Sequence, residues 1–349
     1  MRVTRESLIR LAKDNALERA FNNREVVAAY LTGSLLSDSD PLLGGTTDID
    51  LVLVYASQPG ARREIVKLSP DFHLDIRHHA KSDFKSPREL RTDPMLGYEM
   101  YDPMLLYERE KFVEFVQAGL RAGFEFHAPT LMLGRCRKLL AEGRKGWIDL
   151  MDIAQEKAGS LQVKQFMRAL GHAGNAVAEI TGGPLAERRF LLEFPGRAQA
   201  AECPQFIATQ FNLIGASRVD PNTLSGWLPD WKAAFLAAAE SPRVDQSIHA
   251  DRLNYYLKGM ETLLAGDSPL TALWPLINTW TLAVNALDNP TTDAGQAQVG
   301  PWRVAVEKLG LLGSGFEERV SQLDLYLDEI EARLDEIAVA NGLETSTSI

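Results

Sequence analysis

The stretch "LTGSLLSDSDPLLGGTTDIDLVLVY", residues 31–55, joins the end of one apolar strand to a second strand that carries two aspartates. Asp48 and Asp50 are one residue apart in the run "DIDLVLVY", which has the β-branched and aromatic composition of a strand. Side chains at positions i and i+2 of a strand point to the same face of the sheet. The two carboxylates are therefore predicted to lie side by side, with Ile49 and Leu51 packed on the opposite face.

The next strand adds a third carboxylate. The segment "FHLDIRHH", residues 72–79, alternates apolar and polar residues, which predicts a strand with Asp75 on its polar face. If this strand lies beside the first, Asp75 joins Asp48 and Asp50 in one patch, where like charges repel unless cations separate them. Oxygen ligands suit Mg²⁺ or Mn²⁺, and two such ions about 3.5–4 Å apart form a phosphoryl-transfer site. The three aspartates are candidate metal ligands and catalytic residues.

Gly33 and Ser34 follow the strand "VVAAYL" and are expected to open a short helix. A glycine lets a phosphate approach the backbone closely, and a serine at a helix start can cap the helix or donate its hydroxyl to an anion. The run Gly44–Gly45–Thr46–Thr47 is expected to be a flexible lead into the acidic strand. Gly33 and Ser34 are thus candidate binding residues for the phosphates of a nucleoside triphosphate.

The ordered pattern "LTGS…TDIDLV…HLDIR" resembles that of the DNA polymerase β-like nucleotidyltransferase superfamily. The resemblance covers roughly residues 25 to 110. It implies that Gly33 and Ser34 hold the nucleotide's phosphates and that Asp48 and Asp50 bind two metal ions. It also implies that Asp75 binds the catalytic metal and contributes to deprotonating the acceptor hydroxyl.

After about residue 128 the strand-like runs give way to long helical patterns. The chain is therefore predicted to be an α+β protein: a nucleotidyltransferase domain at 1–127, with a small mixed sheet flanked by helices, and an all-helical bundle at 128–349. This order resembles that of kanamycin and other antibiotic nucleotidyltransferases, which implies that the bundle binds the acceptor or dimerises. Within the first domain, "ARREIVKL" (61–68) is expected to be a short helix, and another helix is expected at 87–100.

Composition narrows the partners. The 349 residues carry a formal net charge of −10, which disfavours a polynucleotide and favours a neutral or cationic small substrate. No run of eighteen apolar residues is present, so no membrane span is expected. The N-terminus has no secretory h-region, and the chain's two cysteines, Cys136 and Cys203, exclude a disulfide framework. A cytoplasmic location is expected.

Weaker signals have an ordinary alternative that we favour in each case. His73 lies near Asp75 in the sequence and suggests a zinc site. Because no cysteine accompanies them, a histidine on the surface or on an edge strand is favoured. Arg77 could contact a phosphate, but a surface ion pair is favoured. Arg188 and Arg189 could reach the nucleotide or the acceptor, but a solvated helix start is favoured. The aspartates of "GWIDLMD" could hold a cationic acceptor, against an ordinary polar helix face. The residues concerned are His73, Arg77, Arg188, Arg189, Asp149 and Asp152.

The last helix has apolar residues at heptad spacing from Val320 to Ile337. A helix packed within its own bundle is favoured, and an inter-subunit coiled coil is the alternative, so the chain is expected to be a monomer or a homodimer.

Three functional hypotheses remain open. The first is transfer of a nucleoside monophosphate, AMP from ATP in the favoured case, to a hydroxyl of an antibiotic or metabolite. The second is transfer to RNA or to a protein side chain. The third is a nucleotide-binding regulator without catalysis, and a Gly-Ser turn with merely solvent-facing aspartates would remove all three.

Overall fold

The computed structural model describes residues 4–37, 40–122, 125, 127–151, 158–241, 244–287 and 293–345, with side chains from 297 in the last range. The chain forms two compact units, Met1–Leu131 and Met132–Ile349. The first contains a β-sheet with flanking helices, and the described part of the second is helical. The protein is α+β, as predicted. The functional division into a catalytic domain at 1–127 and an acceptor-binding or dimerisation domain at 128–349 stays a prediction.

The sheet of the first unit is mixed. Its strands lie in the order β3–β4–β2–β1–β5, with β4 parallel to β2 and the other neighbouring pairs antiparallel. The hairpin of β3 and β4 therefore turns back so that β4 lies between β3 and β2, in the interior of the sheet. The strands are β1 Val26–Leu31, β2 Thr47–Tyr55, β3 Arg63–Lys67, β4 Phe72–Ala80 and β5 Met104–Glu108.

In the described part of the first unit, four α-helices cover the two faces of this sheet. They are α1 Arg5–Asn22, α2 Pro87–Leu90, α3 Leu96–Tyr101 and α4 Phe112–Arg121. Helix α1 packs on the face formed by the apolar residues of β2 and β4, including Ile49, Leu51, Leu53, Leu74 and Ile76. Helices α2 to α4 pack on the opposite face, which includes Tyr30, Val52 and Val54. Both faces of the central strands are therefore buried, and the alternation in the sequence separates two cores rather than a core from solvent.

Helix α1 shows how local sequence places an element on the sheet. Thr4 and Ser7 form a reciprocal capping box at its start, which satisfies backbone N–H groups that have no helical partner. The buried residues recur every four positions and, after the first, are all alanine, so the helix can approach the sheet closely. They are Leu8, Ala12, Ala16 and Ala20.

Two local predictions were wrong. Residues 61–68 do not form a helix, because Arg63–Lys67 pair with β4 as the edge strand β3. The helix expected at 87–100 is two short helices, α2 and α3. Pro94 lies between them, and Asp93 Oδ1 accepts hydrogen bonds from the backbone N–H groups of Met95 and Leu96, at 3.0 and 2.8 Å. Proline has no N–H to continue a helix, and the aspartate starts the next one.

In the second unit, the largely buried helix Leu273–Leu287 packs against the helices Ser160–Ala178, Pro221–Ala239 and Asp293–Leu309. Among the described helices, none has the length and apolar character that a bilayer crossing requires. The helices are α5 Pro129–Met151, α6 Ser160–Ala178, α7 Phe190–Ala200, α8 Gln205–Leu213, α9 Pro221–Ala239, α10 Leu253–Ala265, α11 Leu273–Leu287, α12 Asp293–Leu309 and α13 Phe316–Ala340.

The heptad seam of α13 packs within the second unit. Leu323, Leu327, Ile330 and Leu334 are each at most 1% exposed, and α13 contacts α6 and α8. These apolar side chains therefore lie inside the helical bundle, which is the alternative that we favoured. The oligomeric state stays a prediction.

Candidate metal and nucleotide site

Asp48, Asp50 and Asp75 come together at the middle of the sheet. Each offers one carboxylate oxygen, and these three oxygens all lie within 4.8 Å of one another. Asp48 and Asp75 are buried, at 8% and 3% exposure, and Asp50 is half-buried. Three carboxylates held this close are a set of hard oxygen ligands, which fits a divalent ion such as Mg²⁺ or Mn²⁺.

The strand register produces this cluster. Asp50 and Asp75 are directly paired in the parallel ladder of β2 and β4, and Asp48 is two residues before Asp50 on the same face. Further along that face, Val52 and Val54 are buried under the short helices. The carboxylates therefore occupy the beginning of β2, and the apolar core begins directly after them.

Gly33 lies against the carboxylate of Asp50. Its φ is +79°, and a Cβ added there would come within 2.0 Å of Asp50 Oδ2. The N–H of Thr32 donates to the Asp50 carbonyl at 3.1 Å, which ties the turn to β2. Only glycine meets both requirements, a left-handed backbone and no side chain. The turn therefore adjoins the acidic cluster, as the sequence analysis requires.

The Gly33–Leu36 segment is one turn of 3-10 helix with Gly33 exposed and Ser34 half-buried. The carbonyl of Ser34 accepts from the N–H and the hydroxyl of Ser37, at 3.3 and 2.9 Å. The lead into β2 contains a hydrogen-bonded turn. Leu43 and Thr46 exchange two backbone hydrogen bonds around Gly44 and Gly45, which both have positive φ, so the segment is a tight two-residue turn.

Arg63 is a contact of the site that the sequence analysis missed. Its Nε donates to Asp75 Oδ1 at 2.7 Å and its Nη2 to Asp75 Oδ2 at 2.5 Å, a bidentate pair. Arg63 lies on β3, and residues 61–68 were predicted to be helical. The signal that could have identified the strand is the β-branched pair Ile65–Val66 between charged residues.

A second arginine faces the cluster from β4. The Arg77 guanidinium pairs with Glu99, whose carboxylate also accepts the hydroxyl of Tyr30 at 2.6 Å. Burial lowers the pKa of Arg77, but the charges of Glu99 and Asp50 raise it, and the net direction is upward. Burial, and then Glu99, raise the pKa of Tyr30 well above its ordinary value. Arg77 is therefore a permanently charged group in an ion pair, but the pair is not the surface pair that was favoured, because the Glu99 side chain is only 7% exposed.

Two other favoured interpretations of weaker signals were wrong. His73 is not on the surface, since it is 1% exposed, and β4 is not an edge strand, since it lies between β3 and β2. Arg188 is not a solvated helix start: it is 3% exposed, donates to the Tyr255 carbonyl at 2.8 Å and stacks on the Tyr255 ring. Arg189 lies 4.0 Å from Glu193. Arg188 is a packing residue of the helical unit.

One further candidate, Asp149, takes the ordinary polar-face role that the sequence analysis favoured. Asp149 is exposed on α5, and Asp152 lies outside the described residues. Trp231, Trp280 and Trp302 are buried to 1% or less, and Cys136 and Cys203 are buried free thiols.

The chain matches no protein-family model, and comparison with curated proteins gives no match. Among solved structures, a nucleotidyltransferase-like protein from Exiguobacterium sibiricum 255-15 is similar over 96% of this chain and 92% of its own length, at 10% identity. The TM-score of that pair is 0.31, so the likeness is too weak to support an assignment.

Proposed function

We propose that the chain is a metal-dependent nucleotidyltransferase. In the favoured case it moves AMP from ATP to a hydroxyl group of a small molecule and releases pyrophosphate. The observation that carries the proposal is the meeting of three carboxylates, with oxygens within 4.8 Å of one another, beside the exposed turn at Gly33. A merely solvent-facing set of aspartates would not be buried or held in register across two strands.

The proposed site residues would bind the metal ions and the phosphates. Asp48, Asp50 and Asp75 would hold divalent ions, which when bound neutralise the triphosphate and lower the pKa of an acceptor hydroxyl. Gly33, exposed and without a Cβ, would let phosphate oxygens approach the backbone, and the Ser34 hydroxyl would donate to one of them. The acceptor hydroxyl would lose its proton, with Asp75 as the proposed base, and its oxygen would attack the α-phosphorus. The bond from that phosphorus to the oxygen that bridges to the β-phosphorus would break, and pyrophosphate would leave.

The net charge of −10 supports a small neutral or cationic acceptor over a polynucleotide. No observation among the described residues favours transfer of the nucleoside monophosphate to RNA or to a protein side chain.

One observation favours a second candidate, a nucleotide-binding regulator without catalysis. Arg63 already supplies a positive charge to Asp75, so the cluster does not depend on metal for all of its charge compensation. The same fold could then bind a nucleotide for regulation.

The experiment begins with thermal shift of the full chain against the four nucleoside triphosphates, each with Mg²⁺ or Mn²⁺. We expect stabilisation by at least one triphosphate that disappears when the metal is chelated. Pyrophosphate release with a panel of hydroxyl acceptors then separates the candidates, since the regulator binds without releasing pyrophosphate.

Asp50→Asn should abolish release and leave the fold intact. Asp102→Asn is the matched control, because Asp102 is 86% exposed and pairs with Arg121 rather than with a residue of the cluster. Absence of any metal-dependent stabilisation by a triphosphate, or full turnover in D50N, would refute the proposal.

A further inference from the structure

We infer that Arg63 is a positioning residue that acts as the built-in counter-ion of Asp75 and thereby sets the affinity of the acidic cluster for divalent cations. The inference rests on the proposed function, because it concerns the same three carboxylates. It adds a residue from the edge strand to a site that the motif places on the two central strands.

The pairing is well defined. Both oxygens of Asp75 accept from the Arg63 fork, and Asp75 is the more buried partner, with a side chain 4% exposed against 30% for Arg63. In the β3–β4 ladder Ile65 lies opposite Asp75, and Arg63 is opposite Arg77, so the arginine reaches Asp75 diagonally. A bidentate guanidinium fixes the plane of the carboxylate it holds.

A bidentate arginine does not prevent a carboxylate from coordinating a cation, because each carboxylate oxygen has two lone pairs. Arg63 therefore need not be expelled when an ion binds.

The charge of Arg63 determines the direction of its effect. The positive charge of Arg63 beside the carboxylates reduces the repulsion among them when no ion is bound, and it also reduces their attraction for a divalent cation. The nearby Arg77 is balanced by Glu99. Removing the charge of Arg63 should therefore destabilise the metal-free protein and tighten metal binding. A purely structural arginine would show the first effect without the second.

The test compares Arg63→Gln, Arg63→Lys and Arg62→Gln in the full-length chain. R62Q is the matched control: it removes the same charge from the adjacent position, where Arg62 is 62% exposed and pairs with Asp83 at 2.5 Å. Mn²⁺ affinity is measured by titration calorimetry, and the melting temperature is measured in EDTA by circular dichroism.

We expect R63Q to bind Mn²⁺ about tenfold more tightly than wild type and to melt at a lower temperature in EDTA. R63K keeps the charge, so its Mn²⁺ affinity should stay within about threefold of wild type. R62Q should match wild type in affinity. Mn²⁺ binding by R63Q alone, with none in wild type, would also support the inference, since Arg63 would then exclude the ion.

Two results would overturn it, and they differ from each other. If wild type binds Mn²⁺ and R63Q binds it equally or more weakly, Arg63 is not the counter-ion that sets affinity, while the proposed function stands. If neither protein binds Mn²⁺, the proposed metal site fails and the inference fails with it.

Discussion

Replacing Gly33 by alanine tests whether the glycine turn and the acidic cluster act as one site. The backbone at Gly33 has φ +79°, and the new Cβ would lie 2.0 Å from Asp50 Oδ2 and 2.8 Å from its Cγ. The left-handed conformation costs an alanine roughly 1–2 kcal/mol. The contact with Asp50 is shorter than any non-bonded approach, so the Asp50 carboxylate must rotate out of the cluster or the turn must move away from it.

Gly45→Ala isolates the first of these effects. Gly45 has φ +70°, close to that of Gly33, and a Cβ there would meet no atom within 4 Å. We therefore expect both variants to lose about 1–2 kcal/mol of unfolding free energy, and G33A at least as much as G45A. Only G33A should also weaken Mn²⁺ binding, by about 10–100-fold, as expected when a metal ligand loses its orientation.

The assays need a probe of the first unit. All six tryptophans lie at or after Trp147, so tryptophan fluorescence reports only on the second unit, and urea unfolding should be followed by circular dichroism. Mn²⁺ affinity is measured by titration calorimetry. Equal Mn²⁺ affinity in G33A and wild type, or an equal loss in G33A and G45A, would show that the Gly33–Asp50 contact does not hold the cluster together.

Three further outcomes are expected. Burial lowers the pKa of His78, so below about pH 6.5 the unfolded chain binds more protons than the folded chain, and stability falls as the pH drops. His78→Asn should reduce this fall in urea midpoints measured from pH 7.5 to 5.5. An unchanged dependence of the midpoint on pH would contradict the role given to His78. Glu179→Ala leaves Arg135 buried without its ion-pair partner, at 1% side-chain exposure, and should cost about 3–5 kcal/mol by tryptophan-monitored unfolding; a loss below about 1 kcal/mol would count against it. Leu327→Ala, in the buried seam of α13, should cost about 2–5 kcal/mol, whereas Leu325→Ala, 62% exposed, should change stability by less than about 0.5 kcal/mol and leave the gel-filtration volume unchanged; a shift in that volume would indicate a dimer through this face.

The Arg63–Asp75 ion pair changes how the charge of the acidic cluster is compensated. Three carboxylates close together repel one another, and bound metal ions are one way to offset that repulsion. The structure adds a partial answer from the chain itself, since Arg63 neutralises Asp75 without any ion. The proposed enzyme and the proposed regulator differ in what this arginine permits, and the Mn²⁺ affinities of R63Q and R63K bear on both.

Local periodicity was enough to predict much of the site. The pleat of a strand repeats every two residues, so the sequence alone put Asp48 and Asp50 on one face of β2 and Asp75 on the polar face of β4. The change from strand-like to helical patterns likewise predicted a sheet-containing first part and a helical second part. These features depend on neighbours in the chain, which is why pattern analysis could find them.

Contacts between distant segments were decided only by the tertiary structure. Three features depend on which strands lie side by side. They are the parallel register that pairs Asp50 with Asp75, the edge pairing that makes 63–67 a strand, and the resulting Arg63–Asp75 ion pair. The burial of His73 and Arg188 has the same origin. Whether a polar side chain faces water or a second layer depends on what packs over it, and the periodicity of one segment carries no information about that cover.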